Sequence, residues 1–131
     1  APINLEWGYD NRTTGLRVPR SNPRNRRVEN RLIGADTNPY LAIAGSLAAG
    51  LLGIQNRVEP RADVVGNSFE GGRALPYSLL EGLDAFTKSA ELAEVLGQKF
   101  IDMYAALKFE EYDAFMQVIS PWERQHLLLN V

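Results

Sequence analysis

The stretch NRTTGLRVPRSNPRNRRVENRLIGADTNPYL, residues 11–41, decides how this chain is read. It holds three clusters. Asn11-Arg12-Thr13 is followed across a turn by Leu16-Arg17-Val18-Pro19, so that Arg12 and Arg17 could converge on one anion. Arg26-Arg27-Val28-Glu29-Asn30-Arg31 alternates as a strand does, which puts Glu29 and Arg31 on the same face, roughly 7 Å apart. A carboxylate beside a guanidinium could hold a Mg²⁺ ion and a phosphate that the ion also contacts. Ala35-Asp36-Thr37-Asn38-Pro39-Tyr40 then opens a helix straight after that strand. Asp36 or Thr37 is the expected cap, with Pro39 in the first turn, where a missing N–H costs nothing.

The charge pattern around this stretch sharpens the reading. Residues 1–31 carry seven arginines and no lysine against Glu6, Asp10 and Glu29, whereas the rest of the chain is acidic and the whole has a net charge of −2. Arginine is favoured where phosphate or carboxylate is gripped by two parallel hydrogen bonds. The acidic remainder leaves little attraction for nucleic acid, and no basic–aromatic interleaving of the stacking kind occurs. The composition, 45% hydrophobic and 23% charged over 131 residues, is that of a soluble globular unit able to bury a core. There is no cysteine, which fits a reducing, cytoplasmic setting. Ala1–Asp10 lacks the basic-then-apolar pattern of a signal peptide. The apolar run Tyr40–Ile54 is short for a membrane span and reads as a buried helix.

Outward from the central stretch, Ile3–Trp7 alternates as a strand ending at Gly8, and Gly15–Val18 forms a second strand stopped by Pro19. Val28–Ile33 supplies a third. The expected class is α+β: two or three short strands, antiparallel or joined to strands outside this sequence, followed by four or five helices. Leu41–Ile54 is apolar all round, as befits a helix covered on every side. Residues 55–77 read as a long surface loop. Ser78 caps a helix to about Thr87, Ser89 starts another that ends at Gly97, and Gln98–Ile119 is the longest. Its expected buried face is Phe100, Met103, Tyr104, Leu107, Phe115 and Val118. Glu111 lies within that stripe and is expected to pair with Lys108. Ser120-Pro121-Trp122-Glu123 is a capping box that opens a last short helix to about Leu128. His126, the sole histidine, is expected to pack on Trp122.

Taken in order, Asn11-Arg12-Thr13, Leu16-Arg17-Val18-Pro19, Arg26-Arg27-Val28-Glu29-Asn30-Arg31 and Asn38-Pro39-Tyr40-Leu41 resemble the C-terminal signature of the glutamine synthetase family. The likeness continues through Pro121-Trp122-Glu123-Arg124. The resemblance implies that residues 1–131 form the C-terminal portion of that family's catalytic domain. The β-grasp domain, the metal histidine and the other metal carboxylates would lie upstream. It implies an ATP-dependent carbon–nitrogen ligase that phosphorylates the glutamate γ-carboxylate and lets ammonia or an amine attack the acyl phosphate. Matched residue by residue, Arg12 would steady the phosphoryl group in transfer and Arg17 would contact the ATP phosphates. Glu29 would ligate the Mg²⁺ or Mn²⁺ that bridges them, and Arg31 would face the transferred phosphate and the substrate. The wording Trp7-Gly8-Tyr9-Asp10 and Glu29-Asn30-Arg31 resembles the glutamate–polyamine ligase branch. Ring-type homo-oligomers with active sites between subunits are a further implication, as is inactivity of this chain by itself.

A second reading is a non-catalytic, arginine-rich binding or regulatory module that keeps the family scaffold. Arg20 and Arg24 are expected to be solvated, and one of Arg26 and Arg27 to face solvent or a subunit contact.

Overall fold

The computed structural model describes residues 1–130 and divides into two compact units, Ala1–Pro76 and a second from Tyr77 onward. The class is α+β, with three strands and five α-helices among the described residues, in the expected order. In the first unit, β1 (Trp7–Tyr9), β2 (Leu16–Val18) and β3 (Glu29–Asn30) form one sheet in that order. Strands β2 and β3 are antiparallel, as expected, but β1 and β2 run parallel, with Trp7 opposite Leu16 and Tyr9 opposite Val18.

Parallel neighbours normally need a long crossover. Here each strand has only three residues, about 10 Å of chain, so the short segment 10–15 suffices to carry the chain back. Asp10 makes the reversal with a left-handed φ of 50°, a conformation that aspartate tolerates better than most residues. Thr14, fully buried, closes the loop with its hydroxyl 2.9 Å from the Asn11 carbonyl and 2.8 Å from that of Leu16.

The first strand lies later than its alternation suggested. The Ile3 carbonyl accepts from the N–H groups of Ala74 and Leu75 instead of joining the sheet. Gly8 is an interior strand residue and not a stop. A Cβ there would lie 2.8 Å from the Val64 carbonyl oxygen, so only glycine lets the downstream segment pack this closely. Residues 55–77 are accordingly no free surface loop. Val64 N–H donates to the Trp7 carbonyl at 2.9 Å, the Trp7 indole donates to the Arg61 carbonyl at 2.7 Å, and the buried Asn4 amide donates to the Ser68 carbonyl at 2.6 Å.

Helix α1 (Pro39–Gln55) begins at Asn38, whose side chain accepts from the N–H groups of Tyr40 and Leu41, with Pro39 in the first turn. The cap is thus one residue beyond the expected pair, because Asn38 stands directly before the proline. Only Ala48 of α1 is buried. Ile43, Leu47 and Ile54 are 60%, 69% and 78% exposed, so the first unit does not itself cover the helix.

In the second unit, α2 (Leu79–Lys88), α3 (Ala90–Leu96) and α4 (Gln98–Met116) pack on one another. Ser78 and Ser89 cap α2 and α3 as expected. Gly97, at φ 88°, turns the chain from α3 into α4. The buried stripe of α4 is Ile101 and Ala105 beside Tyr104, whose ring lies 5.5 Å from Phe86 and 5.8 Å from Phe100. Met103, Leu107, Phe115 and Val118 are exposed. The stripe is rotated from the expected one because the small Ala105 and the ring of Tyr104 meet the neighbouring helices. Lys108 and Glu111 pair at 2.6 Å. Ser120 and Glu123 make the reciprocal capping box of α5 (Pro121–His126), where His126 stacks on Trp122 at 4.6 Å.

Candidate functional site

The antiparallel register sets Arg17 directly opposite Glu29. Gly8 occupies the matching position on β1, so the row that carries the guanidinium has no side chain on its other flank. Arg17 Nη1 donates to Glu29 Oε2 at 2.9 Å, and Nη2 donates to Asp10 Oδ1 at 3.2 Å. Arg27 lies 3.4 Å from the other Glu29 oxygen. The hydrogen bond from Arg17 holds the Glu29 carboxyl below the usual carboxylate range. The positive charges of Arg17 and Arg27 add to this, against the opposing effect of desolvation. Glu29 is therefore a stable anion at neutral pH. The same hydrogen bond raises Arg17 above the ordinary arginine value.

Arg31 reaches Arg12 by a different route. Its guanidinium donates to the Arg12 backbone carbonyl, leaving the Arg12 side chain exposed at the loop tip. That loop is tightly fixed. The Asn11 amide donates to the carbonyls of Val64 and Gly66 at 3.0 and 2.8 Å, and its oxygen accepts from the Thr13 N–H and hydroxyl. Ser68 returns two bonds to Thr13, through its N–H and its hydroxyl. Asn11 and Thr13 thus act as scaffold, and Arg12 is the member of the triplet left free to meet a ligand.

The structure brings all four sequence-derived candidates to one region of the sheet, joined in two pairs: Arg17 with Glu29, and Arg31 with the backbone of Arg12. Arg17 is engaged by two carboxylates, whereas the Arg12 side chain is exposed. Arg26 and Arg27 are both exposed, and Arg27 joins the cluster through Glu29. Arg20 is exposed, as expected of a solvated residue, yet its N–H donates to Asp10 Oδ1 at 3.2 Å and its guanidinium covers the Tyr9 ring at 4.8 Å. In the sequence Asp10 stood out as a charge and as the last residue of Trp7-Gly8-Tyr9-Asp10. Its carboxylate bridges β2 to the segment that follows.

The chemistry of the cluster suits a phosphate and a hard cation. Arg17 keeps one buried donor, Nε, without an acceptor among the described residues, and such groups are rarely left unpaired. Glu29 is partly exposed and anionic, a hard oxygen donor of the kind that Mg²⁺ and Mn²⁺ prefer. It fits as a single ligand. Among the described residues no three histidine, cysteine, aspartate or glutamate side chains gather as a metal site. Nor is any helix among the described residues long and apolar enough to cross a membrane.

A family profile described as glutamine synthetase, catalytic domain, matches residues 1–127. The chain belongs to the glutamine synthetase catalytic-domain family. A glutamate–isopropylamine ligase of a Pseudomonas species is 40% identical over 124 residues, which cover 92% of this chain and 27% of that protein. A gamma-glutamylputrescine synthetase of Escherichia coli (strain K12) is 36% identical over 130 residues, covering 98% and 28%. A glutamine synthetase of Methanosarcina mazei is 34% identical over 137 residues, covering 98% and 31%. The solved structure of apo GmaS without ligand superposes with a TM-score of 0.83 at 32% identity, covering 97% of this chain and 30% of that one. The chain thus spans under a third of the length of each of these relatives.

Proposed function

We propose that this chain is the C-terminal part of the catalytic domain of an ATP-dependent ligase that joins glutamate to ammonia or a primary amine. The observation that carries the reading is the cross-strand pairing of Arg17 with Glu29 beside the loop that presents Arg12, in a chain that the family profile matches almost end to end. The relatives named for isopropylamine and putrescine support an amine acceptor.

In the reaction, an oxygen of the glutamate γ-carboxylate attacks the γ-phosphorus of ATP, and the bond to the departing ADP oxygen breaks. The amine nitrogen then attacks the acyl carbon, the carbon–oxygen bond breaks, and inorganic phosphate leaves while the nitrogen gives up a proton. Phosphoryl transfer of this kind needs positioning and charge neutralisation more than covalent help from the protein. Arg17 binds the nucleotide phosphates in the ground state. Arg12 meets the phosphoryl group as it moves, and Arg31 fixes the Arg12 backbone and faces the substrate. Glu29 contributes one oxygen ligand toward Mg²⁺ or Mn²⁺, which when bound neutralises phosphate charge. Within this reading the complete enzyme is a cytoplasmic ring-type homo-oligomer, and the exposed apolar residues of α1 favour a helix that is covered there.

The test compares the full-length protein with residues 1–131 alone. Full-length protein should release ADP only when both glutamate and an amine are present, with γ-glutamyl amide formed in equal amount. Residues 1–131 should form none, because no three histidine, cysteine, aspartate or glutamate side chains gather as a metal site among the described residues. Product from residues 1–131 would overturn the partial-site reading. Absence of product from the full-length protein across ammonia, putrescine and alkylamines would favour a non-catalytic binding module.

A further inference from the structure

Arg17 stands between two carboxylates, and only one of them has a place in the reaction proposed above. Asp10 holds the second terminal nitrogen of the guanidinium at 3.2 Å, while Glu29 holds the first at 2.9 Å. The Arg17 side chain is 17% exposed, so its path leaves little freedom once both ends are tied. Asp10 itself is fixed by backbone and not by packing: its N–H donates to the Val18 carbonyl at 3.1 Å, and its φ of 50° turns the carboxylate back over β2. The Arg20 N–H, 3.2 Å from the same Asp10 oxygen, closes the far side. Each carboxylate also meets a second arginine, Asp10 through Arg20 at 3.9 Å and Glu29 through Arg27 at 3.4 Å, and Glu29 is the one that the proposed reaction shares with a cation.

We propose that Asp10 is a positioning residue for nucleotide binding: it anchors the Arg17 guanidinium through Nη2, so that Arg17 keeps its aim at the phosphates when Glu29 turns its carboxylate to a cation. The inference rests on the assignment of Arg17 to the ATP phosphates. Without Asp10, an Arg17 released by Glu29 would regain rotamer freedom and pay that entropy on each binding event. With it, Nη1 and Nε are set free in place, an arrangement already organised for an anion. Asp10 touches neither nucleotide nor substrate; it acts through Arg17.

Asp10→Asn is the fitting variant, since asparagine keeps the side-chain shape, accepts the left-handed φ and removes only the charge. In the full-length enzyme it should raise KM for ATP and the ATP Kd measured without glutamate, roughly three- to tenfold for a half-exposed charge-assisted contact. The value of kcat and the KM for glutamate should stay within about twofold, as expected when ground-state binding alone is lost. In the metal-free protein, ¹⁵N relaxation at Arg17 Nε should show a more mobile guanidinium. Placed on an Arg17→Ala background, Asp10→Asn should add nothing further, because the two contacts form one unit. A full Asp10→Asn effect persisting on that background, or equal losses in kcat and both KM values, would overturn the inference. If Arg17→Ala raises the ATP Kd while Asp10→Asn leaves both it and Arg17 mobility unchanged, Asp10 alone loses its role. If Arg17→Ala leaves ATP binding intact, the phosphate role of Arg17 falls and this inference falls with it.

Discussion

Arg12→Ala in the full-length enzyme should lower kcat by about two to three orders of magnitude while leaving KM for ATP within a few-fold of its starting value. The structure makes this a clean experiment. The Arg12 loop is held by Asn11, Thr13 and Ser68, and Arg31 grips the Arg12 carbonyl rather than its side chain. Truncating an exposed side chain there removes a charge and leaves its support in place. A guanidinium presented this way gains most from the phosphoryl group when charge spreads over its oxygens in transit, so its loss is felt in turnover. Steady-state kinetics with saturating glutamate and amine separate the two parameters. A loss confined to ATP affinity would make Arg12 a ground-state clamp, the role assigned to Arg17.

The second large effect is expected at Glu29. Glu29→Ala should weaken Mn²⁺ and ATP together, because one carboxylate serves both through the ion. The loss should be at least about tenfold to a hundredfold, the range seen even for residues one step removed from a metal. The substitution also leaves Arg17 and Arg27 without their common counter-ion. Glu29→Gln is therefore the control, since it keeps the side-chain volume and one oxygen acceptor while removing the charge. Electron paramagnetic resonance of free Mn²⁺ reads the affinity directly. Both variants retaining the parent affinity would remove Glu29 from the metal site.

How much of this was legible in the sequence differs from element to element. The serine caps carried their own chemistry: Ser78, Ser89 and Ser120 with Glu123 each begin the helix that their side chains announce, whereas Gly8 did not stop β1 and Asn38 caps α1 in place of Asp36 or Thr37. Pairing partners did not. Three-residue strands have too little alternation to fix their ends, and the placement of β1 depends on a hydrogen bond between Trp7 and Val64, far apart in sequence. Its parallel direction depends on one left-handed residue, Asp10. The buried face of α4 was misread because Met103 and Leu107 match Ile101 in hydropathy, and only the tertiary partners of Tyr104 choose between them. At the site, residue types and order singled out Arg12, Arg17, Glu29 and Arg31. The cross-strand register that joins Arg17 to Glu29, and the tie from Arg31 to the Arg12 backbone, are tertiary facts. Asp10 and Arg27 stayed hidden for the same reason: a carboxylate in a turn and a guanidinium in a basic run look solvated until their partners are placed.

The central claim is that the full-length protein activates glutamate by phosphorylating its γ-carboxylate. Glutamate labelled with ¹⁸O in that carboxylate, incubated with full-length protein, ATP, Mg²⁺ and an amine, tests it directly through mass analysis of the released phosphate. The account predicts one ¹⁸O in each inorganic phosphate formed with γ-glutamyl amide, because the oxygen that attacked phosphorus departs with it. Unlabelled phosphate, or AMP and pyrophosphate in place of ADP and phosphate, would contradict it.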